Sequence, residues 1–240
     1  MGRPLINKLI DDLEGRYDVT DPLFIKRLSI YAGFYIYDHY NKLSDYEKDS
    51  AIFMLSYPST NEIKIHTILP KNIVLVGLGG IGMNFVYWSI IKGYWYSNVI
   101  IFENDKIELQ NCIRMMPFNP FGEVAKIFLA QKIVNIAGLS ANFVEKRFER
   151  EDMERYKGYI IIGAPDISTR NWVAESGERY IYILHQNDKF FIFSNLAIRY
   201  PRWSADAPIV ETYGKIKLDN FFDNMNNIFW DALELIENSK

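Results

Sequence analysis

Ile73-Val74-Leu75-Val76-Gly77-Leu78-Gly79-Gly80-Ile81-Gly82 is the stretch on which the fold turns. A β-branched run of this kind suits a strand buried on both faces, and the glycines that follow suit a tight turn into a helix. From Asn72 to Ile91 the chain carries no charge for 20 residues, enough for a bilayer-spanning helix. Four glycines inside that stretch break it into two elements joined by a turn, so no membrane span is expected. The helix is read over Gly80 to Lys92, and a second strand over Val99 to Phe102 completes a β-α-β unit. Glycines at such a turn let a phosphate approach the backbone, where helix N–H groups and the positive end of the dipole favour an anion. Glu103 ends the second strand, where dinucleotide-binding sheets place an acid toward the ribose hydroxyls. Gly77, Gly79, Gly80, Gly82 and Glu103 therefore form a candidate nucleotide site.

Outward from this unit the strand and helix rhythm continues. Lys126 to Ala137 reads as a helix, Tyr159 to Ile162 as a central strand ending at Gly163, and Thr169 to Glu178 as a helix. Tyr180 to Leu184 and Phe190 to Phe193, turning around Asn187-Asp188, read as a close strand pair. Phe221 to Glu237 has the spacing of a closing amphipathic helix. Before residue 71 the pattern is helical: Asp21-Pro22 opens a helix to about Tyr40, Tyr46 to Leu55 a second, and Glu62 to His66 alternates as a short strand. The expectation is an α/β fold, a Rossmann-like and mostly parallel sheet with an N-terminal helical extension (1–70) and antiparallel C-terminal strands within a nucleotide-binding domain (71–240).

Composition sets the outer bounds. The 240 residues are 49% hydrophobic and 24% charged, the balance of a packed globular protein. Against 27 basic residues stand 30 acidic ones, a net charge of −3, so no global positive field draws nucleic acid. Arg199, Arg202 and Trp203 form only a local basic and aromatic cluster, read as a solvated loop. The single cysteine, Cys112, rules out an internal disulfide and a Cys-rich zinc site, which makes the cytoplasm the default compartment. The N-terminus lacks the apolar core of a signal peptide. His66 reads as a surface residue and His185, at a strand end, as structural.

More specific motifs follow the glycines. Glu103-Asn104-Asp105-Lys106-Ile107-Glu108-Leu109-Gln110-Asn111-Cys112-Ile113-Arg114 resembles the DxDxVxxxNxxR segment of the ThiF/MoeB and ubiquitin-activating enzyme superfamily, to which HesA also belongs. Gly122-Glu123-Val124-Ala125-Lys126 resembles that family's Gly-then-Lys step. Gly163-Ala164-Pro165-Asp166-Ile167-Ser168-Thr169-Arg170 resembles its strand-end Asp motif and helix-opening Arg. The resemblance spans Ile73 to about Asn171. It implies ATP- and Mg-dependent adenylation of a carboxylate, with the C-terminus of a ubiquitin-like or sulfur-carrier protein as the expected partner and a homodimer as the expected assembly. It further implies that Glu103 holds the ribose, Asp105 supports the site, Asn111 and Arg114 meet the phosphates, Lys126 lies by the α-phosphate and Asp166 holds magnesium. Arg114, Lys126 and Asp166 are the implied catalytic residues.

Plainer roles stand beside these: Arg114 and Lys126 as solvated charges, Asp166 as a helix N-cap, Asn111 as a turn former. The family pattern is also not matched throughout. Glu103 replaces Asp, Ile167 replaces Asn, the Gly122 to Lys126 interval is one residue longer and the Asp166 to Arg170 interval one shorter. No CxxC pair exists for a structural zinc, and no cysteine follows Asp166, so no thioester of the protein's own is expected. Arg16 and Arg27 are the candidates for the family's N-terminal arginine. Two other readings use the same glycines: an NAD-dependent oxidoreductase, which leaves Arg114, Lys126 and Asp166 without a role, and a non-catalytic nucleotide-binding or scaffolding relative. A modified RNA base remains an alternative carboxylate substrate.

Overall fold

The computed structural model describes Lys42, Ser44, Asn111 and residues 67–108, 125–163, 166–186, 189–196 and 218–239. The helices expected before residue 60, the Glu62 to His66 strand, the Asn187-Asp188 turn and the Arg199 to Trp203 cluster lie outside these residues, as do Arg16 and Arg27. In chain order the elements are β1 (Thr67–Val76), α1 (Gly80–Ile91), β2 (Tyr94–Phe102), α2 (Lys126–Ile136), β3 (Asn142–Val144), α3 (Arg150–Arg155), β4 (Ile160–Gly163), α4 (Ile167–Ser176), β5 (Arg179–Gln186), β6 (Lys189–Ser194) and α5 (Leu218–Asn238).

The six strands make one sheet in the order β3-β2-β1-β4-β5-β6. Every pairing is parallel except β5 with β6, which closes the sheet as an antiparallel pair. The α/β, Rossmann-like, mostly parallel sheet expected from the strand and helix rhythm is the one found. Parallel sheets need both faces covered, and the residue period of two divides β1 accordingly. Ile73 and Leu75 join Ile101, Ile160 and Ile162 in a core that includes residues of α1, α2 and α5. Val74 and Val76 join Ile100, Phe102 and Ile161 in a second core with Met153 of α3 and Val173 of α4. Ile73, Val74 and Leu75 are at most 1% exposed, and each such side chain contributes about 1.5–3 kcal/mol of burial.

Helix α1 is buried along almost its whole length, from Gly82 to Ile90, and so lacks a polar face. Helix α5 instead presents a stripe, Ile228, Phe229, Ala232, Leu233 and Ile236, all buried, with Phe229 tilted against Phe85 at 6.4 Å between ring centroids. The uncharged stretch is therefore a strand and a helix, and no described helix is long and apolar enough to cross a membrane.

Several boundaries differ from the sequence reading. β1 starts at Thr67 and not at Ile73, passing through Pro70 by a register shift between Leu69 and Asn72 in its pairing with β2. A proline has no N–H for a ladder, and the shift accommodates it. β2 starts at Tyr94 and not at Val99, and α4 starts at Ile167 and not at Thr169. β3 and α3 were not expected. β3 is a three-residue edge strand, and α3 is a short polar helix set by a capping box in which Glu149 and Asp152 each accept from the other's backbone N–H.

Candidate nucleotide site

From β1 the chain winds outward through β2 to β3, then returns to the other side of β1 as β4. The carboxyl ends of β1 and β4 thus flank a topological switch point, where open α/β sheets leave a crevice for ligands. A cavity of about 380 Å³ lies there. Gly77, Gly79, Glu103, Asp105, Asn111, Lys126 and Asp166 all line it, so seven of the residues singled out from sequence come together on one concavity. Arg114, Cys112 and Gly122 lie outside the described residues. Gly80 and Gly82 do not line the cavity: they build the turn that shapes it.

The turn is close-packed by necessity. Gly77 has φ +85°, a region that favours glycine, and its N–H donates to the Phe102 carbonyl at 2.8 Å. A Cβ on Gly82 would lie 1.9 Å from the Gly77 carbonyl oxygen, so only glycine lets α1 pack this near the turn. Gly79, the residue before the helix, has open space around its Cβ position. The loop is thus tight where it packs and clear where a ligand would approach.

Glu103 does more than the sequence suggests. It is 5% exposed, and its Oε2 accepts from the Leu78 N–H at 2.6 Å while Oε1 accepts from the N–H groups of Asn104 and Asp105, both at 2.8 Å. Its carboxylate therefore clamps the glycine loop to the end of β2. Two carboxylate oxygens offer roughly four lone-pair directions, and a ligand hydroxyl would share Oε2 with Leu78. Asn111, also buried, accepts from the Glu108 N–H through Oδ1 at 2.8 Å, and its Nδ2 has no partner among the described residues. The turn-forming role and a place on the cavity wall coexist in it.

Lys126 opens α2 and is buried, with its Nζ 3.2 Å from Asp105 Oδ2. Its N–H donates to the Asp105 carbonyl at 3.0 Å, and an antiparallel bridge joins Lys106 to Ala125. These contacts fix where the lysine enters the cavity. It is not a solvated surface charge.

Asp166 is the N-cap of α4. Its Oδ1 accepts from the Thr169 N–H at 2.8 Å and from Ser168 Oγ, while Oδ2 accepts from Thr169 Oγ1 at 3.0 Å and from an Arg147 guanidinium N–H at 2.9 Å. Partial burial by itself would raise this carboxyl. The hydrogen bonds from Ser168, Thr169 and Arg147 outweigh it and hold the group at about 2, below the usual carboxylate range. Arg170 is buried on α4 and is not among the residues lining the cavity; its carbonyl accepts from Tyr182 Oη, and its guanidinium acts on Asp166 electrostatically.

Three further lining residues were not anticipated: Lys146, Arg147 and Phe148, on the segment between β3 and α3. Lys146 Nζ pairs with Asp152 Oδ1 at 2.8 Å, and Phe148 packs edge-on against Phe102 at 5.1 Å. Their signal is the basic pair one residue beyond Asn142-Phe143-Val144, legible only once those three residues are taken as a strand.

The described residues thus place a glycine turn, a buried acid and carboxylate-paired cations around one cavity at the switch point of a mostly parallel sheet. Among solved structures the fold is shared with Escherichia coli MccB in complex with MccA, at 14% identity and a TM-score of 0.50, covering 96% of this chain and 70% of that one. MccB with ATP aligns at 15% identity and TM-score 0.47, over 95% of this chain and 74% of that one. The E. coli tRNA N6-threonylcarbamoyladenosine dehydratase TcdA, solved with AMP, aligns at 16% identity and TM-score 0.39, over 47% and 50%. Against the MccB chains, coverage of their length runs from 65% to 75%. The likeness is one of fold. No family model and no curated protein matches the sequence.

Proposed function

We propose that this protein adenylates a carboxylate with ATP, the C-terminus of a ubiquitin-like or sulfur-carrier protein being the expected acceptor, and that it forms no thioester of its own. The observation that carries this reading is the convergence of Lys126 and Asp166 on the cavity beside the glycine turn. A carboxylate attacking the α-phosphorus approaches a polyanion, and only cations held at the phosphates lower that barrier. In this reading the turn 77–79 receives the phosphates, the spare lone pair of Glu103 takes a ribose hydroxyl, and Asn111 offers Nδ2 to a phosphate oxygen. Lys126 leaves Asp105 to neutralise charge at the α-phosphate, and Arg114 adds a second cation. A hydride-transfer enzyme would need the glycines and Glu103 but neither Lys126 nor Asp166. An assembly as a homodimer and a supporting magnesium ion belong to the same proposal.

Magnesium takes one or two carboxylates and completes its shell with phosphates and water. Among the described residues no three His, Cys, Asp or Glu side chains cluster as a metal site. Asp166 alone would serve, but four donors already occupy its two oxygens. In this arrangement the carboxylate does not fit direct coordination, and no chemical step is assigned to the ion. The test of the function is ATP–pyrophosphate exchange by the full chain with candidate acceptors, beside binding titrations with ATP and NAD. Exchange that depends on an acceptor carboxylate supports adenylation; tight NAD binding with no exchange refutes it.

A further inference from the structure

We infer that Glu103 is a positioning residue for the phosphates: its carboxylate holds the glycine turn and Lys126 in their receiving arrangement, independently of any contact it makes with a ribose. The inference rests on the nucleotide-site reading above and gives Glu103 a role that reading does not contain. Three of the roughly four lone-pair directions of the carboxylate are taken by backbone N–H groups, those of Leu78, Asn104 and Asp105. Its stem is fixed as well, because the Glu103 N–H donates to the Val144 carbonyl of β3 at 3.2 Å and the residue is buried. Most of its capacity is therefore spent on the chain before any ligand arrives.

Two walls of the cavity depend on these bonds. On one side, Leu78 N–H is held by Oε2 and Gly77 N–H by the Phe102 carbonyl, which fixes the peptide planes that lead into α1. No side chain caps α1 at Gly79, and the first N–H groups of a helix have no intrahelical partner, so these are the donors left to meet an anion. On the other side, Oε1 holds the Asp105 N–H. Asp105 in turn accepts the Lys126 N–H through its carbonyl at 3.0 Å and the Lys126 ammonium through Oδ2 at 3.2 Å. One buried carboxylate thus sets where the helix start stands relative to the lysine. Groups ordered in advance need not be ordered when the ligand binds, so loosening them is felt as lost affinity.

The test compares wild type and Glu103→Gln, as full chains, for calorimetric binding of ATP and of 2′,3′-dideoxy-ATP, which has no ribose hydroxyl to offer. An amide has one acceptor oxygen, so its NH₂ must face N–H donors on one side of the clamp. E103Q should therefore bind both nucleotides roughly tenfold more weakly than wild type. The sign is diagnostic, because removing a negative charge near phosphates would by itself tighten binding. A loss with ATP that vanishes with dideoxy-ATP would make Glu103 a ribose acceptor only and overturn the inference. Unchanged or tighter binding of both would overturn it too, since a purely structural role lowers Tm and leaves the affinity of the folded protein alone. If E103Q does not fold, the wild-type proton spectrum decides. A short charge-assisted bond should move the Leu78 amide proton well downfield, and an ordinary shift overturns the clamp. Failure of wild type to bind either nucleotide would remove the nucleotide reading and the positioning role with it, whereas binding by wild type with no loss in E103Q removes the positioning role alone.

Discussion

Replacing Gly82 and Gly79 one at a time by alanine separates the packing of the glycine turn from its service to a ligand. At Gly82 the new methyl would meet the Gly77 carbonyl oxygen at 1.9 Å and its carbon at 2.9 Å, well inside the 3.4 Å where ordinary contact begins. Neither atom can yield as a flexible side chain would. The Gly77 peptide is tied to Phe102 by a 2.8 Å hydrogen bond, and α1 is held behind by the buried Met83, Phe85 and Val86. Overpacking against such a rigid neighbour falls at or above the upper end of the usual range, about 3 kcal/mol. For a chain of this size that corresponds to a fall in Tm of roughly 6–12 °C. At Gly79, φ is −69° and nothing lies within 4 Å of the Cβ position. Gly79→Ala should therefore cost under about 1 kcal/mol, the scale of a helix-cap change, and move Tm by less than about 4 °C. Its methyl stands at the cavity wall, where a phosphate must come close to the backbone, so ATP affinity should fall by about tenfold or more. Thermal unfolding by circular dichroism and ATP calorimetry on the full chain read both effects. A Gly82→Ala protein that melts with wild type would refute the packing argument, and a Gly79→Ala protein that binds ATP as wild type does would refute the site.

Lys126→Ala should lower ATP–pyrophosphate exchange by on the order of a hundredfold while the far-ultraviolet spectrum is kept; near wild-type exchange would sink the residue assignment. Acid unfolding should carry the mark of Asp166, whose carboxyl lies at about 2 in the fold against an ordinary 3.8. A depressed folded pKa stabilises above the unfolded value and is lost as pH falls through the folded one, so Asp166→Asn should be less stable than wild type by a constant amount above about pH 4, and the gap should close between about pH 4 and pH 2. An unchanged acid limb would count against the hydrogen-bonded cap. Cys112→Ser should retain exchange and product formation, and a thiol-sensitive adduct present only in the wild type would contradict direct transfer of the acyl-adenylate. Light scattering with ATP present should give a particle near twice 28.1 kDa; a strict monomer at micromolar concentration would refute the homodimer.

Burial on both sides of the sheet made the centre of the fold readable. Ile73 to Val76, Ile160 to Ile162 and the aliphatic face of α2 are continuous or strongly periodic because each is enclosed by neighbours, and their sequence shows it. The edges carry no such imprint. β3 has one exposed and two half-buried residues and needs only three pairings with β2, so its alternation is too short to stand out. α3 depends on a capping box with Glu149 at the cap, where the search for a helix start looks first for Ser, Thr, Asp or Asn. Missing those two elements meant missing Lys146 and Arg147, because the segment between them has no meaning until both ends are placed. Glu103 shows the opposite limit: its position at the end of β2 was legible, while its three backbone N–H partners depend on the path of the glycine loop.

The irregular spacings of the motifs have a structural resolution. Lys126 is one residue farther from Gly122 than the family pattern has it, yet its place in the cavity is not set by that interval. It is set by the Lys106 to Ala125 bridge, by the Asp105 carbonyl that accepts the Lys126 N–H, and by the Asp105 carboxylate on its ammonium. Those anchors run through the loop after β2, which Glu103 in turn fastens to the glycine turn. Asp166 is likewise held by capping α4 just beyond β4, whatever the distance to Arg170, which is buried and not among the residues lining the cavity. Gly79, Glu103, Lys126 and Asp166 accordingly line the same cavity. A ligand site of this kind is specified by where strands end and by the hydrogen bonds that lock their loops, so residue spacing is only an indirect record of it.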